Sequence, residues 1–283
     1  MKKLPSISLV GCTYNTDLVA YKRMLETLEL QTYPRRLIEH IVMDAGSTNG
    51  SVELARKYGC KVYVHPELRE EEQVRASMGF KKAKGDILLI IQADNIVTSR
   101  DWMLRMVQPF LENKKVFFTF SAYNSYEKDM SATTRYCALF GSNDPVLYYL
   151  NKTDKIRMDQ TRYNKGKIIE DTPDYYIVQF NKDNLPTLGD NGQMILNHLM
   201  NRVSKDTTNF MHTDAIRKLL EFGYDTFGVV KNATIHVQNP NLFQLVRRRV
   251  EVKEKYYDVY RGRRKYMVYN PNSSQDRINL MKF

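Results

Sequence analysis

Three short apolar runs, each followed at once by a polar turn, constrain the fold of this chain more than any other feature. They cover residues 7–11, 40–43 and 86–91, and the turns that follow are Cys12-Thr13-Tyr14-Asn15, Asp44-Ala45-Gly46-Ser47-Thr48 and Gln92-Ala93-Asp94-Asn95. Near-continuous apolar runs separated by helical patterns are typical of parallel strands that are buried on both faces. Loops beyond the carboxyl ends of such strands line one crevice, where ligands bind. We therefore expect Asp44 and Asp94 to meet at a single site.

The segments between these runs alternate between helix and strand up to residue 120. Apolar spacing predicts helices over residues 16–30, 51–58 and 70–83, a strand over 61–64, a helix after Ser99 and a strand over 116–120. This alternation predicts a doubly wound α/β fold. From 121 to 182 the periodicity weakens, which indicates an irregular, partly helical segment over the site. The pattern then predicts a helix after Asp190-Asn191-Gly192, a helix over 215–222, a strand over 227–236, a basic helix and a loose polar tail after Pro271.

Length and cysteine content favour a reduced, cytoplasmic protein. A chain of 283 residues holds one large α/β domain or two small ones. No run approaches the roughly 18 apolar residues of a membrane span. The N-terminus passes almost directly into the first strand, so we expect no signal peptide. The three cysteines are widely spaced, which argues against a disulfide framework or a zinc site.

The positive charge is concentrated near the C-terminus. The formal net charge is +11, and the segment from Asn239 to Lys265 holds nine Lys or Arg against three Asp or Glu. Such a segment suits a phosphate-rich partner, either a nucleotide, a lipid phosphate, an anionic membrane surface or a nucleic acid; the alternative is a solvated helix face. No known nucleic-acid module is evident, so we expect no nucleic-acid partner. The apolar residues interspersed with the charges favour a peripheral membrane role: Leu242, Phe243, Leu245, Val246, Val250 and Val252.

Four short motifs occur in order between residues 5 and 120. They are Thr13-Tyr14-Asn15, Gln31-Thr32-Tyr33-Pro34, the loop Asp44-Ala45-Gly46-Ser47-Thr48-Asn49-Gly50, and Ala83-Lys84-Gly85-Asp86 with the later Gln92-Ala93-Asp94-Asn95. Together they resemble the nucleotide-sugar-dependent glycosyltransferases of family 2, which have the GT-A fold. The resemblance implies a Rossmann-like, mostly parallel sheet flanked by helices. It divides the chain into a nucleotide-sugar-binding half (1–120), an acceptor and catalytic half (121–238) and a basic helical extension (239–283).

The same resemblance implies a reaction, its donor and its acceptor. A sugar would pass, with inversion, from a nucleotide-diphosphate sugar of the UDP, GDP or dTDP type to a hydroxyl of a glycan or lipid-linked glycan, as in polysaccharide biosynthesis. A divalent cation, Mn²⁺ or Mg²⁺, would offset the charge on the leaving diphosphate. In the family a "DxD" turn holds this metal; here Gln92 replaces the first aspartate and Asp94 remains. His236 is a second metal candidate, or a structural histidine at a strand end.

Further site residues follow from the resemblance, each with a simpler alternative. Asp44 would recognise the nucleotide, or form an Asx turn with Gly46. Thr13, Tyr14 and Ala93 would line the nucleotide-sugar pocket. Arg75 would neutralise a phosphate oxygen, or be a solvated helix residue. Arg247, in the run Arg247-Arg248-Arg249, would return onto the diphosphate, although three consecutive helical residues cannot share one face.

An inverting transfer needs a base that takes the proton of the acceptor hydroxyl. The family places this base in a "(G)ED" turn at a helix N-terminus, which corresponds here to Leu188-Gly189-Asp190-Asn191-Gly192. Asp190 is the candidate base, with the N-cap of a helix as its alternative role and Asp214 as second choice. No second carboxylate is evidently paired with it, which argues against a hydrolase. Two other functions stay open: a nucleotidyltransferase, and a degenerate protein that binds a sugar nucleotide without transferring it.

Overall fold

The computed structural model describes residues 3–142, 144–206, 210–238, 241–254, 264–270 and 272–281. Ten strands in this part of the chain form one sheet. The strands are β1 (Ile7–Thr13), β2 (Ile38–Asp44), β3 (Lys61–Val64), β4 (Ile87–Ile91), β5 (Asn95–Val97), β6 (Phe118–Ser125), β7 (Lys167–Asp171), β8 (Tyr175–Gln179), β9 (Asn191–Leu196) and β10 (Thr226–His236). The helices are α1 (Leu18–Glu29), α2 (Ser51–Lys57), α3 (Glu72–Lys82), α4 (Trp102–Glu112), α5 (Ala132–Phe140), α6 (Pro145–Tyr149), α7 (Asn197–Val203), α8 (His212–Glu221), α9 (Leu242–Lys253) and α10 (Ser274–Met281).

The three apolar runs are neighbouring parallel strands. The order along the sheet is β3-β2-β1-β4-β9-β6-β10-β8-β7, and β5 pairs separately with β10. In β1, Ile7 lies opposite Ile38 of β2 on one side and Ile87 of β4 on the other. The carboxyl ends of these strands therefore lie at one edge of the sheet. The predicted doubly wound α/β architecture is confirmed.

The helix predicted directly after Gly192 is wrong, because residues 191–196 form strand β9. This strand runs antiparallel between β4 and β6, and its Met194 and Ile195 are fully buried. The helix begins only at Asn197. The β4–β9 ladder shifts register at Gly192, whose φ of +76° suits glycine. Such a bulge bends the strand and re-aims its neighbours, and here it lies beside Asp190.

Helices cover both faces of the sheet and bury two apolar clusters. On one face, α1, α2 and α4 contribute Tyr21, Ala55 and Trp102 to one cluster. On the other, α3 and α8 contribute Phe80 and Ile216 to the second. Burial of such side chains contributes about 1.5–3 kcal/mol each. The edge of the sheet formed by the carboxyl ends of β1, β2 and β4 therefore stands on a two-sided core.

The second half of the chain is more regular than its sequence suggested. The segment over 121–182 contains α5, α6, β7 and β8, and β8 pairs antiparallel with β10. The tail after Pro271 contains α10 and is anchored rather than loose, because buried Asp276 pairs with Lys152 Nζ at 2.6 Å. Part of the predicted basic extension, residues 239, 240, 255–263, 271, 282 and 283, lies outside the described residues.

Helix α9 matches the predicted basic helix. It begins with a capping box, in which the side chains of Asn241 and Gln244 each accept from the other's backbone N–H. Across the described ranges, we find no helix with the length and apolar character that crossing a bilayer requires.

Candidate active site

A cavity of about 530 Å³ opens at the carboxyl ends of β1 and β4. Its wall combines the turns after both strands with α3, the segment before β9, the end of β10 and α9. The predicted site residues that line it are Thr13, Tyr14, Arg75, Ala93, Asp94, Asp190 and His236. The structure thus brings together residues that are up to 223 positions apart in the sequence, from Thr13 to His236. Asp44 and Arg247 do not line this cavity.

Asp94 and His236 face each other in the cavity wall. Asp94 Oδ2 lies 3.3 Å from His236 Nε2. The pairing of β5 with β10 brings them together, because Asn95 lies opposite His236 and the Val237 N–H donates to the Asp94 carbonyl. Burial acts to raise the pKa of Asp94, but His236 and then Arg248 outweigh it and hold that pKa below its ordinary value. Asp94 is therefore ready to bind a cation in its ionised form.

The donor set fits a metal shared with a ligand better than a closed metal centre. No group of three or more His, Cys, Asp or Glu side chains is arranged to hold a metal ion among the residues that the structure describes. Asp94 and His236 offer one carboxylate and one imidazole, and Mg²⁺-type ions commonly complete their shell with phosphate oxygens and water. Gln92 adds little, because its Oε1 accepts from the Cys12 N–H at 3.3 Å.

Asp44 lies behind the cavity wall and is saturated by protein donors. It is fully buried; its Oδ1 accepts from the Gly46 and Ser47 N–H groups, and its Oδ2 from the hydroxyls of Thr13 and Ser47. This is the Asx turn that the sequence offered as the alternative. Asp44 is therefore not placed to contact a nucleotide directly. Asp44 instead orients Thr13, which does line the cavity.

Tyr14 and Arg75 line another part of the cavity, and Arg69 lies behind Tyr14. Tyr14 is 40% exposed, and the Arg69 guanidinium lies over its ring at 4.7 Å from the centroid. Arg75 is a buried residue and not a solvated one. Its Nη1 donates to the carbonyls of Leu68 and Arg69, and its buried Nε has no partner in the described structure. Arg75 lines the cavity, and the positive charge of its guanidinium is suited to a phosphate oxygen.

The structure brings Arg248, and not Arg247, to the cavity. Arg247 is turned outward, with a side chain that is 83% exposed and an Nε 3.0 Å from Glu251 Oε1 one helical turn away. Arg248 lines the cavity and lowers the pKa of Asp94. Consecutive residues on a helix point about 100° apart, so only one of the two can face the site. The side chain of Arg249 lies outside the described residues.

Asp190 is held by three side chains. His212 Nδ1 lies 3.3 Å from its Oδ1, Gln73 Nε2 lies 3.4 Å from its Oδ2, and Gln193 Nε2 lies 3.4 Å from its Oδ1. His212 Nε2 lies 3.1 Å from the Leu188 carbonyl, which can only accept, so this nitrogen carries a proton. Asp190 precedes a strand, so it is not the N-cap of a helix. It remains available for proton transfer.

A second carboxylate, Glu72, lies beside Asp190, contrary to the expectation that none is paired with it. Glu72 is the first residue of α3 and lines the same cavity. Burial and then the Asp190 carboxylate raise the pKa of Glu72, against the opposing effect of Arg75 and Arg248. The Glu72 carboxyl is therefore harder to ionise than an ordinary glutamate.

Asp214, the second choice as base, has a structural role. Its Oδ2 accepts from Arg264 Nε at 2.9 Å, and its Oδ1 accepts from the backbone N–H groups of Lys265 and Tyr266. It anchors the chain after residue 264 to α8 and does not line the cavity.

A second cavity of about 240 Å³ adjoins the first. Five residues line both cavities: Glu72, Gly189, Asp190, Asn191 and His212. Asp190 therefore stands at the junction of two binding spaces, the arrangement that group transfer between two bound molecules needs.

Comparison with known proteins identifies the family to which this chain belongs. The model of the family "Glycosyl transferase family 2" matches residues 8–183, which is more than half of the chain. The chain belongs to glycosyl transferase family 2. Comparison with curated protein sequences gave no match.

Solved structures of GT-A glycosyltransferases share the fold of this family 2 chain. The mannosyltransferase PcManGT from Pyrobaculum calidifontis, solved with GDP-Man and Mn²⁺, has a TM-score of 0.57 and 16% identity over 90% of this chain and 64% of its own. TarS 1–349 from S. aureus, solved with UDP-GlcNAc, has a TM-score of 0.53 and 14% identity over 83% of this chain and 59% of its own. Glucosyl-3-phosphoglycerate synthase from Mycobacterium tuberculosis, solved with phosphoglyceric acid, has a TM-score of 0.51 and 15% identity over 90% of this chain and 79% of its own.

These likenesses show the GT-A fold, and the expected α/β class is confirmed. The family 2 chain spans about two thirds of the mannosyltransferase and 59% of the TarS fragment.

Sequence reasoning missed Glu72, Gln73, His212 and Arg248 at this site. Of these, Arg248 was within reach, because it belongs to the arginine run and differs from Arg247 only by helical phase. His212 and Gln73 lie 139 positions apart and carry no local pattern that joins them.

Proposed function

We propose that this family 2 chain is a metal-dependent, inverting glycosyltransferase that uses a nucleotide-diphosphate sugar of the UDP, GDP or dTDP type. The observation that carries the proposal is the position of Asp190 at the junction of the two cavities, in the wall of the larger one together with the Asp94–His236 pair. The larger cavity takes the donor and the smaller one takes the acceptor, a hydroxyl of a glycan or of a lipid-linked glycan.

The chain's own side chains account for donor binding. Tyr14 offers an aromatic face to the base, and Thr13 offers a hydroxyl that Asp44 holds in place. Arg75 and Arg248 bring positive charge to the side of the cavity that would hold the diphosphate. Asp94 and His236 are the residues that would hold Mn²⁺ or Mg²⁺. The cation supplies additional charge for the departing diphosphate.

Asp190 performs the proton transfer. Its carboxylate accepts the proton of the acceptor hydroxyl while the hydroxyl oxygen bonds to the anomeric carbon, and the bond from that carbon to the diphosphate oxygen breaks on the opposite face. The nucleoside diphosphate leaves with the bonding electron pair. His212 and Gln73 orient the carboxylate for this step. A positioned base of this kind contributes typically 10²–10⁴-fold to the rate.

Release of nucleoside diphosphate tests this function. The purified chain is incubated with Mn²⁺, a panel of nucleotide sugars and a glycan mixture, with and without a chelator. We expect turnover of one nucleotide class that chelation abolishes, and an anomeric configuration in the product opposite to that of the donor. Pyrophosphate release from nucleoside triphosphates would instead indicate a nucleotidyltransferase. Nucleotide binding without turnover would indicate a degenerate binding protein.

We also propose that α9 places the protein at an anionic membrane surface on the cytoplasmic side. Three apolar side chains at helical spacing, Phe243, Val246 and Val250, are 88%, 52% and 50% exposed. They lie on a helix that also carries Arg247 and Arg248. Exposed apolar side chains beside arginines favour an interface with anionic lipid headgroups.

Flotation with liposomes tests the membrane proposal. We expect co-flotation with vesicles that contain anionic phospholipid, weaker binding to neutral vesicles, and loss of binding in Phe243→Ser. Equal recovery with both vesicle types would contradict it.

A further inference from the structure

The second cavity is acidic. Four carboxylates line it: Glu72, Asp144, Asp154 and Asp190. Neither lysine nor arginine is among the described residues that line it. Its remaining polar lining consists of amides, hydroxyls and His212. The described lining of this cavity is therefore acidic, in contrast to that of the donor cavity, which includes Arg75 and Arg248.

Nearby groups reduce this negative charge without reversing it. Lys155, only 2% exposed, pairs with Asp154 at 3.0 Å and balances that carboxylate. The pKa of Glu72 is raised by burial and then by Asp190. Asp144 caps α6, its Oδ1 accepting from the Val146 N–H. Asp144 and Asp190 add two further carboxyl groups to the lining.

The cavity also offers acceptors that match sugar hydroxyls. Carboxylate oxygens accept hydrogen bonds from hydroxyl groups, and these charge-assisted bonds are short and strong. Asn124 also lines the space. A sugar hydroxyl can donate to a carboxylate oxygen, whereas a phosphate dianion has no proton to donate.

We propose that the sugar unit bound in the second cavity is uncharged or amine-bearing, and that phosphate- or carboxylate-bearing acceptors are excluded by charge. This inference rests on the proposed function, because it assigns the second cavity to the acceptor. It narrows that function: a lipid-linked glycan reacts through a neutral sugar at its far end, and a lipid monophosphate is not itself the acceptor. A phosphate dianion placed among these carboxylates is repelled by each of them.

Binding measurements separate this inference from the transferase proposal. Saturation-transfer NMR and calorimetry are run on the full chain, with Mn²⁺ and nucleoside diphosphate present. The probes are methyl glucoside, methyl galactoside, methyl mannoside and methyl N-acetylglucosaminide, each beside its 6-phosphate. We expect at least one neutral glycoside to bind at least about tenfold more tightly than its phosphate. Donor turnover, measured in parallel, reports on the transferase function alone.

A matched pair of variants tests the charge itself. Asp144→Asn keeps a good N-cap residue but removes the charge, and we expect the preference for the neutral glycoside to fall about fivefold, as for one screened carboxylate. Asp101→Asn is the control, since Asp101 is the exposed N-cap residue of α4, outside both cavities. Any of three results would overturn the inference. The phosphorylated probes could bind as well as the neutral ones, none of the neutral glycosides could bind, or Asp144→Asn could leave the preference unchanged.

Discussion

His212 Nδ1 lies 3.3 Å from Asp190 Oδ1, and the two residues come from different elements that meet only in the folded chain. His212 begins α8, and Asp190 immediately precedes β9. The other ring nitrogen is fixed by the Leu188 carbonyl, so the imidazole has one orientation. This contact holds the carboxylate of the proposed base at the junction of the two cavities.

Asp190→Asn is expected to lower kcat about 10²–10⁴-fold, because the amide cannot accept the acceptor's proton. Donor affinity, measured by calorimetry with nucleoside diphosphate, should stay within about threefold. Asp214→Asn is the comparison: we expect it to lower the melting temperature, because it loses part of the Arg264 pair, while kcat is largely retained. If Asp190→Asn retained turnover, or if Asp214→Asn lost turnover without unfolding, Asp190 would not be the base.

His212→Gln is expected to lower kcat about tenfold to a hundredfold with little change in the donor KM. A glutamine side chain cannot bridge the Leu188 carbonyl and the Asp190 carboxylate as the imidazole ring does, so the carboxylate loses its fixed position. Steady-state kinetics beside a melting curve give the measurement. A fall that follows stability alone, with KM and kcat affected together, would mean that His212 only supports the fold.

Asp94→Ala and His236→Ala are each expected to raise the half-activating Mn²⁺ concentration at least about tenfold, because each removes one of the two ligands proposed for the metal. Asp94→Asn should give an intermediate value, since it keeps an oxygen ligand and loses the charge. Metal titrations of donor turnover provide the curves. Identical curves for wild type and both alanine variants would remove the metal site from this position.

Arg248→Ala is expected to weaken binding of nucleoside diphosphate about tenfold, whereas Arg247→Ala leaves it unchanged. The two arginines are adjacent in α9, but only Arg248 lines the cavity. Calorimetry in low and moderate salt should show that the difference narrows as salt rises. Equal losses in the two variants would indicate a diffuse charge effect and not a directed contact.

His40 predicts a pH dependence of stability that is independent of the site. Burial and then Arg35 lower the pKa of His40 to about 4, whereas an unfolded histidine has a pKa near 6.5. As pH falls below about 6.5 the unfolded chain binds this proton first, so stability that is full above that pH is lost progressively toward pH 4.

Chemical unfolding at pH 7.5 and pH 5 measures this loss. Between these two pH values, the unfolding free energy of the wild type should fall by about 2 kcal/mol more than that of His40→Gln. The carboxylate contributions are common to both proteins and cancel in this comparison. Parallel stability curves would contradict the prediction. His40 packs against Cys60 in the core, with Nδ1 3.3 Å from Sγ, so the variant's lower overall stability is the baseline for the comparison.

The sequence by itself determined the parallel half of the sheet. Apolar runs of four to six residues, separated by helices with clear caps such as Asp17, leave few alternatives, because each run needs burial on both faces. The same local patterns identified the turns that carry Thr13 and Asp94, whereas the turn of Asp190 came from the resemblance to family 2. Helical periodicity also predicted α1 and α3 to within a few residues, and a basic helix near the C-terminus that corresponds to α9.

Tertiary structure decided which of these residues work together. β9 was mistaken for a helix because Met194 and Ile195 acquire their strand environment only from β4 and β6, which are distant in sequence. Asp44 became a buried turn residue, and Arg248 replaced Arg247, through packing and helical phase. Glu72 and His212 reached Asp190 through contacts between elements. Local sequence carries propensity and burial pattern, whereas the distances that create a site are set by long-range pairing, which no short window of residues contains.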